Sequence, residues 1–380
     1  MTITPADWQS REALILAPWA MHAHASRGRV HAEPPHPFRS PYQRDHDRIV
    51  HSAAFRRLAH KTQVFTAYPG DYHRSRLTHT LEVTSIARTL ARALSLNEDL
   101  VETLALAHDI GHPPLGHAGE DTLNELLAGE GGFNHNRQAL RIMEFLETRY
   151  PQFPGLNLSL EVLEAQATRK RDGTAPPPLL ETQVVDAADS IAYDTHDADD
   201  AIELGLLTLD ELIELPLVAD AAARVRDRYG LLIGVELRRA VLHELVDFQV
   251  AELISCARIT LAAESINSVA LVRAFFTTSA SPGGGRIVTP SDLVATGKQQ
   301  LEQFLFQRVY RSEQVMRVRV AVQDKISRLF SWYCQRPAEM PAGYRQRALD
   351  MGAPRSVADY IAGMSDRYLD WEYQRCLGVG

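Results

Sequence analysis

Apolar residues recur every three or four positions along most of the chain, which is the spacing of one face of an α-helix. Residues 43–61 show it with Val50, Ala54 and Leu58. The same spacing predicts further helices near 79–94, from Leu100 to Ala107, near 135–149 and over 298–335. Runs that alternate apolar and polar residues, as strands do, are scarce. The pattern therefore predicts an all-α protein.

Three segments rich in proline or glycine interrupt this pattern and are predicted to be loops: residues 33–41, 172–178 and 281–285. None of them is expected to separate two domains, because residues that we expect to share one site lie on both sides of 172–178. We therefore expect a single all-helical domain over 1–380, with the site in a core of about 40–200 and a C-terminal helical part over about 201–380.

The composition is that of a globular protein, with 45% hydrophobic and 23% charged residues. Its cysteines, Cys256, Cys334 and Cys376, match no zinc or disulfide spacing, which favours the reducing cytoplasm. No secretory signal is apparent at the N-terminus, and no apolar run is long enough to span a bilayer. We expect a cytoplasmic protein with no membrane partner.

The net charge of −8 argues against a general nucleic-acid coat, because such binding neutralises phosphates with lysine and arginine. Basic residues nevertheless cluster just before His79: Arg56, Arg57, Lys61, Arg74 and Arg76. A locally cationic pocket in an acidic protein suits a small polyanion better than a long one.

An imidazole and a carboxylate stand side by side in His108 and Asp109, at the end of an apolar helical stretch. His79 lies upstream and Asp189 downstream as a further candidate of each kind. Neutral nitrogens and hard oxygens together suit one divalent ion, Mn, Mg, Fe, Ni or Zn, that activates a water.

Other polar residues are expected beside this cluster. His112 and His117 lie on a turn shaped by glycine and proline, where an imidazole could donate a proton, and Glu120 is expected to orient His117. His135 begins the next predicted helix and is expected to face the site, while Asn134 fits a helix cap.

A polar stripe recurs every four residues in Asp189, Tyr193 and Asp197, which places all three on one helix face. Arg76 lies three residues before His79, so its guanidinium is expected to reach phosphate oxygens beside the metal.

Assembled in order, these segments resemble the HD superfamily of metal-dependent phosphohydrolases, and within it the deoxyguanosinetriphosphate triphosphohydrolase-like members. The resemblance runs from about residue 40 to 370 and is carried by residues 44–58, 61–63, 76–79, 107–120, 133–135, 186–193 and 359–366. It implies an HD-domain helical bundle with additional C-terminal helices, and an enzyme that removes intact triphosphate from a deoxynucleoside triphosphate (dNTP).

The resemblance also implies roles for individual residues. It assigns the metal to His79, His108, Asp109 and Asp189. It lines the phosphates with His112, His117 and His135, with His117 and Glu120 closest to catalysis. Arg76 and Tyr193 would grip phosphates, Gln63 and Asp197 would bind the deoxyribose 3′-hydroxyl, and Tyr193 would exclude a ribose. Relatives are often homo-oligomers, commonly tetramers or hexamers, and some have a nucleotide activator at a separate site.

Two alternatives stay open on the sequence. One is another HD phosphohydrolase that acts on nucleoside monophosphates or cyclic nucleotides. The other is a non-catalytic protein that binds a nucleotide or single-stranded nucleic acid. The presence of all four expected ligands argues against a non-catalytic site.

Overall fold

A computed structural model of the protein describes residues 6–64, 74–170, 175–278 and 285–378. Over these ranges the chain forms eighteen α-helices and no β-strand, so the all-α prediction is confirmed. The helices are α1 (Ala6–Ile15), α2 (Pro41–Val50), α3 (Ala53–Arg57), α4 (Arg76–Ala93), α5 (Glu98–Ala107), α6 (Gly116–Leu126), α7 (His135–Arg141), α8 (Leu160–Thr168), α9 (Leu180–Glu203), α10 (Leu209–Ile213), α11 (Pro216–Tyr229), α12 (Gly234–Ala263), α13 (Val269–Thr278), α14 (Asp292–Leu305), α15 (Glu313–Gln335), α16 (Ala342–Met351), α17 (Ala353–Ala362) and α18 (Asp366–Leu377).

Helices α4 and α5 confirm two of the predicted helices and begin at side-chain caps. The Ser75 hydroxyl accepts the backbone N–H of Thr78, and the Asn97 side chain accepts that of Leu100. Each cap satisfies a backbone donor that has no partner within its helix. The cap of α4 therefore fixes the direction in which the first turn of that helix presents its side chains.

Two predicted helices are each interrupted, which corrects the sequence interpretation. The stretch 43–61 ends α2 at Val50, and Ser52 then caps the separate helix α3. The stretch 298–335 breaks in the same way, because Ser312 caps α15 by accepting the N–H of Val315. The apolar spacing continues across both serines, so periodicity alone does not show these breaks.

The remaining local predictions agree in part with the structure. The helix near 135–149 is α7 followed by a π-helical turn over Ile142–Leu146. The predicted loop 33–41 is irregular up to Ser40, which caps α2. Of the other two predicted loops, 175–178 and 285 are irregular, whereas 172–174 and 281–284 lie outside the described residues.

Three groups of buried side chains form the interior. The first lies among α2, α4, α5 and α9, the second among the C-terminal half of α9, α11, α12 and α14, and the third among α6, α15, α17 and α18. The third group joins α6, from the expected site core, directly to the C-terminal helices. Among the described residues, no helix combines the length and apolar character needed to cross a membrane.

Candidate active site

The four expected metal ligands come together from three helices. His79 lies in the first turns of α4, His108 and Asp109 directly follow α5, and Asp189 lies near the middle of α9. These helices pack against one another around the first hydrophobic group, which fixes the directions of the four side chains.

The donor atoms of these residues are close enough to share one ion. Nε2 of His79 lies 3.1 Å from Oδ1 of Asp189, and Nε2 of His108 lies 3.4 Å from Oδ1 of Asp109 and 3.6 Å from Oδ1 of Asp189. His79, His108 and Asp109 also form a compact group of candidate metal donors. Both imidazoles are almost fully buried, whereas the Asp189 side chain is 35% exposed and opens the cluster toward solvent.

Hydrogen bonding shows that this donor set fits a cation. Nδ1 of His108 lies 2.6 Å from the carbonyl oxygen of Ala105, so Nδ1 carries the proton and Nε2 the lone pair. That Nε2 is buried and has no hydrogen-bond partner. A buried acceptor without a donor is costly, and a divalent ion among the four side chains would satisfy it.

Electrostatics keep the carboxylates anionic and the His108 imidazole neutral. Although burial opposes it, His112, His108 and Arg76 hold the pKa of Asp109 well below its ordinary value. Burial alone would raise the pKa of Asp189, but His108 and His79 lower it below its ordinary value. Burial lowers the pKa of His108 itself. These are the protonation states that metal ligands require.

Arg76 contacts the cluster of metal donors through Asp109 and also lines the adjacent cavity. Its Nη1 donates to Oδ2 of Asp109 at 2.9 Å, and its side chain is only 1% exposed. Nε of Arg76 is buried and has no hydrogen-bond partner. The guanidinium therefore orients Asp109, and its Nε–H still has no acceptor.

The pairing of Glu120 differs from the sequence expectation, which linked it to His117. Glu120 instead lies 2.8 Å from Nδ1 of His135 and also accepts the backbone N–H of His135 at 2.8 Å. The His135 ring stacks on His112 at a centroid distance of 3.8 Å, and Nε2 of His112 lies 3.1 Å from Oδ1 of Asp109. A chain of contacts thus links Glu120 to the metal cluster. His117, at the start of α6, has an exposed ring whose centroid is 6.2 Å from that of His112.

A cavity of about 470 Å³ opens in front of these residues, a size suited to a small molecule. It brings together most of the expected site residues: Gln63, Arg76, His79, His108, Asp109, His112, His117, His135, Asp189 and Tyr193. Glu120 and Asp197 are not among its lining residues. Glu120 lies behind His135, and the Asp197 carboxylate is buried and accepts the hydroxyl of Tyr310.

The permanent cations of the cavity are largely ones that the sequence analysis missed: besides Arg76, the lining includes Arg169, Lys170 and Arg286. Arg169 lies 3.0 Å from Asp186 and 3.9 Å from Asp189, and Arg286 lies 3.2 Å from Asp186. These residues flank the two loops predicted at 172–178 and 281–285, and no motif marked them. The lining therefore carries four permanent cations beside three aspartates, Asp109, Asp186 and Asp189.

The basic cluster expected before His79 has a different arrangement. Arg56 is exposed, and Arg74 binds Glu82 and Asp200 rather than lining the cavity. The Lys61 ammonium donates to the backbone carbonyls of His112 and Ala362 behind the site. Of that cluster, only Arg76 lines the cavity.

Comparison with known proteins gives matches over nearly the whole chain. The HD domain family model matches residues 76–194, and the model of a phosphohydrolase-associated domain matches residues 288–375. A deoxyguanosinetriphosphate triphosphohydrolase-like protein of Bradyrhizobium sp. (strain ORS 278) is 42% identical over 94% of this chain and 95% of its own length. This chain is also similar to proteins of the same name from two other bacteria. The protein of Paracoccus denitrificans (strain Pd 1222) is 42% identical over 96% of this chain and 100% of its own length. The protein of Geobacter sulfurreducens is 39% identical over 97% of this chain and 96% of its own length.

Proposed function

Because the chain belongs to the family of deoxyguanosinetriphosphate triphosphohydrolase-like proteins, we propose that it hydrolyses deoxynucleoside triphosphates to the deoxynucleoside and inorganic triphosphate in a metal-dependent reaction. The observation that carries the proposal is one cavity that combines a cluster of two histidine and two aspartate donors with four permanent cations. The cluster suits a divalent ion, and the cations suit a polyphosphate.

His79, His108, Asp109 and Asp189 would hold the divalent ion. When bound, such an ion lowers the pKa of water and offsets negative charge on a phosphate. The donor set, two imidazoles and two carboxylates, fits several first-row metals and magnesium and does not select among them.

The cationic residues of the cavity would bind the triphosphate. Arg76 lines the cavity beside the metal cluster, so its guanidinium would bind an oxygen of the α-phosphate. Arg169, Lys170 and Arg286 line the cavity near Asp186, one helical turn from Asp189, and would bind the outer phosphates. Both sets would stabilise the negative charge that grows during cleavage.

Two imidazole groups are candidates for proton transfer to the departing 5′-oxygen. His117 presents an exposed ring at the cavity. His135 also lines the cavity, and the Glu120 carboxylate at its Nδ1 directs a proton on Nε2 or a lone pair there toward the site. His112 lies between the His135 ring and Asp109 and connects this pair to the metal ligands.

The deoxyribose is assigned to Gln63 and Tyr193. The Gln63 side chain is 5% exposed, and its Oε1 is buried without a hydrogen-bond donor, which suits the hydrogen of a 3′-hydroxyl. The Tyr193 ring lines the cavity and stacks on Tyr310 at 6.1 Å. Asp197 would act through Tyr310, whose hydroxyl it holds, rather than by direct contact with the sugar.

Replacing Tyr193 with alanine is expected to weaken the discrimination against ribonucleotides. The phenol ring would occupy the space of a 2′-hydroxyl, and its removal opens that space, so the ratio of kcat/KM for GTP to that for dGTP should rise about tenfold or more. Tyr193→Phe keeps the ring and should keep the wild-type ratio. An unchanged ratio in Tyr193→Ala would contradict the placement of the sugar beside this ring.

The direct test of the proposed function is product analysis. The protein is incubated with each dNTP, singly and in mixtures, with Mn²⁺ or Mg²⁺, and the products are separated by anion-exchange chromatography. Inorganic triphosphate and deoxynucleoside in equal amounts are the expected products. Phosphate or pyrophosphate instead, or turnover of nucleoside monophosphates or cyclic nucleotides alone, would contradict the proposal. Single-strand binding without turnover would favour the non-catalytic alternative.

The homo-oligomer and the nucleotide activator that the resemblance implies, as well as the cytoplasmic location, remain predictions. Mixtures of dNTPs address the activator, because turnover of one dNTP that requires another would reveal a second nucleotide site.

A further inference from the structure

One segment that carries the family resemblance has no role in the proposed function. Residues 359–366 end α17 and begin α18, and none of them lines the cavity. Asp366 nevertheless makes contacts with two segments that do carry site residues. The role of Asp366 therefore depends on the site residues that lie in those two segments.

The Asp366 carboxylate accepts three hydrogen bonds, two from the segment at Thr62 and one from the segment at Leu115. Oδ2 accepts the backbone N–H of Thr62 at 2.8 Å and the Thr62 hydroxyl at 2.7 Å. Oδ1 accepts the backbone N–H of Leu115 at 2.9 Å. Each oxygen therefore holds a different part of the chain.

The segment at Thr62 positions two residues of the cavity. Gln63 follows directly, and its backbone N–H donates to the carbonyl of Arg74 at 3.1 Å. The N–H of Arg76 donates to the carbonyl of Lys61 at 2.9 Å. Movement of Thr62 would therefore move both Gln63 and the first turn of α4.

The segment at Leu115 lies between His112 and His117. Leu115 has a φ of 62°, in the left-handed region that leucine rarely adopts, and Gly116 follows with a φ of 61°. Only a surrounding structure that fixes such a conformation maintains it. The hydrogen bond from the Leu115 N–H to Asp366 supplies part of that restraint.

Lys61 makes a second link between the same regions. Its Nζ donates to the carbonyl of His112 at 2.5 Å and to the carbonyl of Ala362, the last residue of α17, at 2.8 Å. The side chain is 2% exposed, so water does not compete for these bonds. The two linked segments also pack closely together, because a Cβ added at Gly116 would lie 3.1 Å from the carbonyl oxygen of Gln63.

We propose that Asp366, supported by Lys61, is a positioning residue that fastens the C-terminal helices to the 112–117 turn and thereby holds the histidines of that turn in their catalytic directions. This rests on the proposed function, in which His117 is a candidate for proton transfer and His112 connects His135 to the metal ligands. In this proposal the 359–366 segment supports the active-site turn through hydrogen bonds, without lining the cavity itself.

Asp366→Asn is the variant that tests it. Its amide nitrogen would face one of the two backbone N–H donors, so either Thr62 or Leu115 loses its acceptor. Misalignment of catalytic groups by about 1 Å can cost on the order of a hundredfold in rate, and we expect kcat to fall about tenfold to a hundredfold. The bound Mn²⁺ per chain should stay within about twofold of wild type and KM should change less than kcat, because Asp366 contacts no metal ligand and the packing of α4 against α5 and α9 still holds His79. Asp370→Asn is the matched control, since Asp370 lies one turn later on α18 and pairs only with the side chain of Lys325.

Two further measurements separate positioning from general stability. Backbone hydrogen exchange at residues 113–117 should accelerate in Asp366→Asn and stay unchanged in Asp370→Asn. Leu115→Gly, introduced into Asp366→Asn, should restore part of the lost kcat, because glycine adopts a positive φ without strain.

The outcomes discriminate clearly. If the wild-type protein is active and Asp366→Asn has the same kcat, the proposed function stands while the positioning role is overturned. A fall in kcat that only parallels the loss of bound Mn²⁺ or of folded protein would also overturn it. A wild-type protein that releases no triphosphate from any dNTP would overturn the proposed function, and this inference with it.

Discussion

Asp189→Asn and Asp109→Asn are each expected to remove the bound divalent cation and to abolish triphosphate release. Both carboxylates lie within 3.4 to 3.6 Å of the unpaired Nε2 of His108, and an amide is a poor replacement for an anionic ligand. A cation supplies several kcal/mol to a phosphoryl transition state, and each 1.36 kcal/mol is a factor of ten, so kcat should fall about 10³-fold or more. Elemental analysis of the purified variants and product chromatography are the measurements.

The two positions differ in their expected effect on stability. Asp109 is buried and is the partner of the buried Arg76, and removing one member of such a pair costs about 3–5 kcal/mol of folding free energy. Asp189 is 35% exposed, so Asp189→Asn should unfold near the wild-type denaturant midpoint. Asp121→Asn is the control, because that carboxylate is half-exposed and pairs only with Arg319. Wild-type cation content together with wild-type turnover in Asp189→Asn would refute the ligand assignment.

The convergence of the four metal donors was predictable because the helical spacing of apolar residues and the family resemblance indicated the same residues. The apolar stripes of α4, α5 and α9 define which faces pack together, and His79 and Asp189 lie beside those faces. Packing then brings together side chains that are far apart in the sequence. No comparable periodic signal marks Arg169, the residue after α8, or Arg286, which precedes α14, and the sequence analysis missed them.

The errors have physical causes of the same kind. His117 and Glu120 lie three residues apart on α6, which suggested that they pair, but the start of α7 brings His135 closer to the carboxylate. Asp197 shares the helix stripe of Asp189, yet eight residues at 1.5 Å per residue place it about 12 Å further along α9. The stripe therefore extends beyond the cavity, to Tyr310. Both outcomes depend on tertiary contacts that a helical spacing does not contain.

Glu120→Gln is expected to lower kcat strongly while substrate and metal binding persist. The Glu120 carboxylate contacts Nδ1 of His135 through both oxygens, at 2.8 and 2.9 Å. Burial opposes it, but the hydrogen bond from His135 lowers the pKa of Glu120 from 4.5 to about 2, so the group is anionic at neutral pH. A neutral amide would no longer stabilise a positive charge on the imidazole, and loss of proton transfer typically costs about 10² to 10⁴ in rate.

The matched control is Glu125→Gln, because Glu125 is exposed on the same helix. KM and bound Mn²⁺ should be unchanged in both variants, so only kcat should separate them. The folded-state pKa is depressed, which means that the carboxylate stabilises the fold above about pH 4.5 and that this contribution disappears as the pH falls toward 2. Glu120→Gln should therefore narrow the stability difference between pH 7 and pH 3. A wild-type kcat in Glu120→Gln would contradict any role for the pair in catalysis.

Comparison of two double variants then identifies the imidazole that transfers the proton. If Glu120 and His135 act as one unit, Glu120→Gln combined with His135→Ala should be little slower than His135→Ala alone, because residues that act together are not additive. Glu120→Gln combined with His117→Ala should instead multiply the two losses. The opposite pattern would transfer the role to His117, and Glu120 would then act on it through the stacked rings of His135 and His112. Since Glu120 contacts only His135 directly through a short hydrogen bond, the first pattern is the expected one.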